Sequence, residues 1–168
     1  MNENPMRQIR IEKVTLNIGC GDDKQKIERA QKLLEKITEG RPVITKSKKR
    51  STFGIAKGRP LGVKITLRNN KGEQFFNSVL KSVDNLVKTS QIDSSGNISF
   101  GIKEYIDLPN VRYSPEIGMV GMDVAVTLER PGFHVKRRRV RKAIIGENHK
   151  INKEDTINWL KQRGVIVE

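Results

Sequence analysis

The first segment of the chain alternates between apolar and polar positions. Ile9 and Ile11 share one parity, Val14, Leu16 and Ile18 the other, so the register changes near Lys13. This predicts a first strand over residues 8–18 with a bulge in it. Gly19-Cys20-Gly21 reads as a turn, and Asp22 or Asp23 as the N-cap of a helix. Ile27, Ala30, Leu34 and Ile37 then recur at helical spacing, with Gly40 as the stop. Val43 to Lys46 begins a second strand, and residues 48–59 form a loop punctuated by glycine. Leu61 to Arg68 is a third strand, with Leu61, Val63, Ile65 and Leu67 on one face and Lys64, Thr66 and Arg68 on the other. Asn69-Asn70-Lys71-Gly72 reads as a turn. Phe76, Val79, Leu80, Val83, Leu86 and Val87 mark a second buried helical stripe. Residues 91–97 form a polar linker, and Ile98 to Ile106 and Met122 to Leu128 are further strands.

The order strand–helix–strand–strand–helix–strand is that of a split βαβ, ferredoxin-like α+β fold. Its antiparallel sheet carries helices on one face and leaves the other to water or a partner. The expected organisation is a core over 1–129 and a tail over 130–168. The tail comprises a basic arm and a short C-terminal helix packed on or beside the core. That helix, Lys153 to Arg163, presents Ile157, Trp159 and Leu160 and stops at Gly164. Trp159 reads first as a packing residue and second as a platform for stacking a base.

Charge changes the picture. The 168 residues carry a net +14, and the excess is confined. Ten Lys and Arg lie between Arg41 and Lys71 and seven more between Arg130 and Lys142, with no Asp or Glu in either interval. The remainder holds 16 cations against all 19 carboxylates. Cations packed this closely repel one another, and a polyanion relieves that repulsion while releasing condensed counterions. A membrane surface fits less well, because it selects a basic amphipathic helix; the first interval instead contains Gly54, Gly58, Pro60 and Gly62. No run of hydrophobic side chains exceeds three residues, which excludes a transmembrane helix. Met1 to Lys13 has no apolar stretch of signal-peptide length, so secretion is not expected. A single cysteine, Cys20, offers no intrachain disulfide and no Cys-rich zinc site.

Catalytic chemistry is thinly supplied. His134 and His149 have neither a paired carboxylate nor metal-ligand spacing. Cys20, between glycines ahead of a helix start, reads as a small turn residue rather than a nucleophile. Gly19-x-Gly21 lacks the third glycine of a dinucleotide fingerprint, and Gly54-x-x-x-Gly58 lacks the Lys-Ser/Thr ending of a P-loop. No catalytic residue, cofactor or metal is expected. Only eight of 168 residues are aromatic, and the polar face of the third strand has none. That disfavours a single-strand reader built on stacking. A Lys/Thr/Arg face suits the phosphates and 2′-hydroxyls of structured RNA.

Several ordered stretches carry a family resemblance. They are Val14-Thr-Leu-Asn-Ile-Gly-Cys-Gly21, Arg41-Pro-Val-Ile-Thr-Lys-Ser-Lys-Lys49, Gly58-Arg-Pro-Leu-Gly-Val-Lys-Ile-Thr-Leu-Arg68, Phe100-Gly-Ile-Lys-Glu104 and Gly121-Met-Asp-Val124. Together they closely resemble the ribosomal protein uL5 family. Arg130-Pro-Gly132, Gly146-Glu-Asn-His-Lys150, Lys153-Glu-Asp-Thr156 and Trp159 are similar to its archaeal and eukaryotic branch.

The resemblance implies a cytoplasmic, ribosome-bound protein of the central protuberance. Its implied partners are 5S rRNA, a second 5S-binding ribosomal protein, large-subunit rRNA, P-site tRNA and a small-subunit head protein reached across an intersubunit bridge, with no membrane. The strand-end Asn and third-strand Thr that meet 5S rRNA in bacterial relatives match Asn17 and Thr66. The Gln that precedes the motif proline in those relatives is Arg41 here, so a backbone contact at that point runs through a charge. Lys46, Lys64, Arg68, Lys136, Arg137, Arg138, Arg139 and Arg141 complete the expected rRNA-binding set. Lys48, Lys49, Arg50, Phe53, Lys57 and Arg59 form the expected tRNA-proximal loop. Asn17 could equally close its turn by an Asx hydrogen bond, Thr66 could be a plain strand residue, and Phe53 is divided between loop packing and tRNA contact. A free RNA chaperone or regulatory RNA-binding protein is the alternative to a ribosomal role.

Overall fold

The computed structural model describes residues 4–50, 52, 54–109 and 111–168. Strand β1 runs Arg10–Gly19 and buries Val14, Leu16 and Ile18. Its pairing with β6 (Met122–Glu129) shifts register between Ile11 and Lys13. One extra residue, Glu12, flips the parity of every side chain after it, which is the bulge the alternation predicts. Helix α1 (Lys24–Thr38) starts at Asp23, whose carboxylate accepts from the N–H groups of Gln25 at 2.9 Å and Lys26 at 3.4 Å. Those contacts satisfy two donors that the first turn leaves without helical partners. Ile27, Ala30, Leu33 and Leu34 form its buried stripe. The helix ends at Glu39, in the left-handed region at φ 49°, one residue before the predicted glycine. A Cβ on Gly40 would lie 2.7 Å from the Ile65 Cδ1 methyl, so that flexible side-chain end would have to move aside.

Strands β2 (Val43–Lys46) and β3 (Pro60–Leu67) follow. Two boundaries around α2 (Asn69–Ser82) differ from the sequence expectation. Residues 69–72 are the first turn of the helix and not a separate turn. Gly72 is buried there, where a Cβ would meet the Leu67 carbonyl oxygen at 3.2 Å. At the other end the stripe is broken because Asp84 and Asn85 adopt left-handed φ values of 53° and 55°, a conformation these short polar side chains tolerate. Leu86–Val87 therefore form a short strand, β4, paired in parallel with β7 (Ile166–Val167). The apolar spacing suits either structure, so periodicity alone does not separate them. Strand β5 covers Ile98–Ile102 and is shorter than expected. The chain then turns through a 3₁₀ segment, Tyr105–Asp107, that buries Tyr105.

The main sheet has the order β2-β3-β1-β6-β5, antiparallel throughout. Removing the edge strand β5 leaves the split βαβ order, so the α+β expectation holds. Helix α1 packs on β3 and α2 on β1, covering the face that carries Val14, Leu16, Val63 and Ile65. The tail contains a single helical turn, α3 (His134–Arg137), and then α4 (Lys153–Gln162). Trp159 of α4 is 8% exposed and stacks on Phe76 of α2 with ring centroids 6.0 Å apart. Thr156 donates a hydrogen bond to the Gly96 carbonyl at 3.0 Å. Packing is the observed role of Trp159. Ile151, Trp159, Leu160 and Val165 belong to the same apolar cluster as the sheet.

Candidate nucleic-acid interface

The uncovered face of the sheet is built by alternation. Thr15 and Asn17 of β1 turn away from the helices, as do Lys64 and Thr66 of β3, because their neighbours on each side are buried. Register places Asn17 opposite Lys64 and Thr15 opposite Thr66. Asn17 and Thr66 are therefore diagonal neighbours on adjacent strands, both exposed. The turn after β1 is closed by the backbone, with Cys20 N–H donating to the Leu61 carbonyl at 2.9 Å. Among the described residues no hydrogen bond engages the Asn17 amide, which removes the turn-closing alternative for that side chain.

Strand β2 pairs with β3 only as far as Val43 opposite Lys64. Beyond that point the outer edge of β3, from Ile65 to Leu67, has no strand beside it among the described residues. A cleft of about 380 Å³ opens there, lined by Thr38, Gly40, Arg41, Val43, Lys64, Ile65, Thr66, Leu67, Arg68 and Lys71. Four of these are cations and none is a carboxylate. An unpaired strand edge offers backbone donors and acceptors, and here they lie among positive charges. The fold thus brings Arg41, Lys64, Thr66 and Arg68 together. Lys71 joins them, a position absent from the expected set because Asn69-Asn70-Lys71-Gly72 reads in sequence as a turn rather than as the first turn of α2. Its place in the acid-free interval was the available signal.

The basic loop leaves the sheet through a closed neck. Ser47 N–H donates to the Arg59 carbonyl at 2.8 Å, and Gly58 N–H to the Ser47 carbonyl at 2.9 Å. Glycines 54 and 58, with φ of 80° and 88°, supply conformations that side-chain-bearing residues rarely adopt. Lys46, Lys48, Lys49, Arg50 and Lys57 are exposed on or beside this loop. Phe53 lies outside the described residues.

The acid-free intervals are not wholly unpaired in three dimensions. Arg59 pairs with Asp22, and Arg130 is buried against Asp155 at 2.9 Å. Glu12, the bulge residue, is largely buried and gathers cations from both intervals: Arg68 at 3.7 Å and Arg137 in direct contact, with Lys13 at 3.8 Å. Arg137 also contacts Glu129. The repulsion expected among these cations is partly relieved within the fold for four arginines, Arg59, Arg68, Arg130 and Arg137, which take carboxylate partners from elsewhere in the chain. Glu12 also joins the two basic stretches into one surface, from the cleft through Arg68 to the arm at Arg137. Along the arm Lys136, Arg139 and Arg141 are exposed, while Arg138 is half-buried and donates to the Arg141 carbonyl at 2.7 Å.

His149 lies 2.8 Å from the Pro131 carbonyl and packs edge-on to Phe133. Burial pushes the Cys20 thiol above its ordinary pKa, with Asp23 adding to the rise and Lys26 opposing it; a poised thiolate nucleophile needs the reverse. No helix among the described residues is long and apolar enough to cross a membrane.

Comparison with known proteins agrees with this architecture. Residues 4–55 match the family model described as ribosomal protein L5, and residues 60–159 match that of the ribosomal L5P family C-terminus. The boundary between the two matches falls at the end of the basic loop. The large ribosomal subunit protein uL5 of Sulfurisphaera tokodaii is 50% identical over 95% of this chain and 91% of its own length. That of Archaeoglobus fulgidus is 46% identical over 99% of this chain and 94% of its own length, and that of Nanoarchaeum equitans 45% identical over 95% of each. At this identity and coverage the chain belongs to the ribosomal protein L5 (uL5) family, a non-enzymatic family of ribosomal proteins.

Proposed function

We propose that this chain seats 5S rRNA on the central protuberance of the large ribosomal subunit through the cleft and the uncovered sheet face. The observation that carries the reading is the cleft: Arg41, Lys64, Arg68 and Lys71 surround the unpaired edge of β3 with Thr66 among them and no carboxylate in the lining. Cations neutralise phosphates, while the hydroxyl of Thr66 and the amide of Asn17 offer directed hydrogen bonds to backbone oxygens and 2′-hydroxyls. The neighbouring basic surfaces serve the other contacts. Lys46 continues the rRNA surface at the end of β2. Lys48, Lys49, Arg50, Lys57 and Arg59, with Phe53, approach the P-site tRNA from a loop whose hydrogen-bonded neck fixes its direction. Lys136, Arg138, Arg139 and Arg141 reach large-subunit rRNA, with Arg137 orienting the arm through Glu12 and Glu129. A second 5S-binding ribosomal protein and a small-subunit head protein complete the partners.

Purifying the native protein under mild salt and identifying the RNA that accompanies it tests this reading. Co-purification of 5S rRNA, lost on combined Arg41→Ala and Lys64→Ala substitution, is the expected result. Recovery of other RNA alone overturns it.

A further inference from the structure

One carboxylate stands on the RNA-facing side of the sheet without a cation to hold it. Asp123 of β6 is exposed and sits opposite Asn17 on one side and Gly101 on the other, with Lys64 next in the same row beyond Asn17. Glu12 and Glu129, the acids near the far end of β1 and β6, are taken up by Arg137. Asp123 forms no ion pair among the described residues. Its surroundings are low: Gly101 on β5, Ala125 two residues along β6, and Ser99 opposite Ala125. A Cβ on Gly101 would lie 3.7 Å from Asp123 Oδ1, so glycine leaves that flank of the carboxylate uncovered.

RNA laid over this row removes water from Asp123. A carboxylate accepts hydrogen bonds and donates none, and it repels phosphate, so the covering RNA must present donors. Guanine is the base whose Watson–Crick edge sets two N–H donors side by side, N1–H and N2–H, at the spacing of two carboxylate oxygens. Asn17, directly across the strand pair at about 4.5–5.5 Å between Cα atoms, carries an amide that can donate to the neighbouring O6. The flat glycine–alanine–serine surround admits a planar ring where bulky side chains would not.

We propose that Asp123 is a base-reading residue, accepting the N1–H and N2–H of an unpaired guanine in the bound RNA while Asn17 donates to O6. It rests on the 5S rRNA reading above and adds sequence discrimination to a contact otherwise made to backbone. The charge of the protein makes its sign diagnostic. On a chain of net +14, removing a negative charge strengthens non-specific binding to a polyanion. Asp123→Asn instead weakens binding by about 10-fold or more, since a bidentate base contact of this kind is lost.

The experiment titrates 5S rRNA with the wild-type protein, Asp123→Asn and Lys64→Ala, each checked by circular dichroism. It probes the complexes with kethoxal, which attacks guanine at N1 and N2. At protein concentrations that saturate each complex, the expected result is a guanine protected by wild type and by the weaker-binding Lys64→Ala but reactive with Asp123→Asn, together with the loss of affinity in Asp123→Asn. Equal or tighter binding by Asp123→Asn, or weaker binding with guanine protection unchanged, overturns the assignment and leaves the 5S rRNA reading standing. If the wild-type protein itself does not bind 5S rRNA, that reading fails first and the assignment fails with it.

Discussion

Arg130 Nη2 lies 2.9 Å from Asp155 Oδ2, and this pair fastens the chain leaving β6 to the first turn of α4. The guanidinium is buried, and its Nη1 also donates to the Lys150 carbonyl at 3.0 Å. Arg130 is thus a cation of the basic arm that serves the fold and not the RNA. Arg130→Met removes the charged donor from a partly buried carboxylate, which keeps only the Asn152 N–H at 3.2 Å, and takes the guanidinium donor from the Lys150 carbonyl. It should cost on the order of 2–3 kcal/mol of stability, seen as a lower urea midpoint at unchanged slope. The folded variant should bind RNA as wild type does.

Trp159 gives a second separation of packing from contact. Its ring stacks on Phe76 and carries the Arg163 guanidinium 4.3 Å above its centroid. Trp159→Ala should destabilise by about 3–5 kcal/mol, measured by thermal unfolding. RNA affinity of the protein that remains folded should not change. An affinity loss at unchanged stability would assign the indole to RNA instead.

Asn17→Ala and Thr66→Ala each remove one hydrogen-bonding group from an exposed position on the sheet. Each should weaken 5S rRNA binding by roughly 10-fold, from about 1–1.5 kcal/mol per bond, with an unchanged circular dichroism spectrum. Affinities at the wild-type value for both would exclude them from the contact.

How much of this was readable beforehand depends on the range of the signal. The bulge in β1 shows in the parity change between Ile11 and Val14, because alternation is local. The exposed row of Lys64, Thr66 and Arg68 follows from the same rule. The end of α2 was not readable, since Val83, Leu86 and Val87 keep helical spacing and only the left-handed Asp84 and Asn85 break it. The cleft was half readable: its cations were counted, but their meeting depends on where β2 stops against β3. The union of the two basic stretches was not readable at all, because Glu12 meets Arg137 across 125 positions of chain. The outward position of Asp123 is legible in the alternation of β6, where it stands between the buried Met122 and Val124.

Cys20 supplies a pH prediction. Only the thiolate is alkylated, and burial raises the pKa of this thiol. At any given pH it therefore carries less thiolate than a free cysteine. Its rate of reaction with iodoacetamide should rise with pH along a curve displaced to higher pH than that of a cysteine peptide. Displacement to lower pH would mark an activated thiol and contradict the structural role.

The central claim is that cations concentrated on one surface engage the backbone of a folded RNA. Filter binding of 5S rRNA across a series of salt concentrations tests it most directly. With roughly 6–10 phosphates neutralised, log affinity should fall against log salt with a slope of about −5 to −9. A flat line would contradict the account.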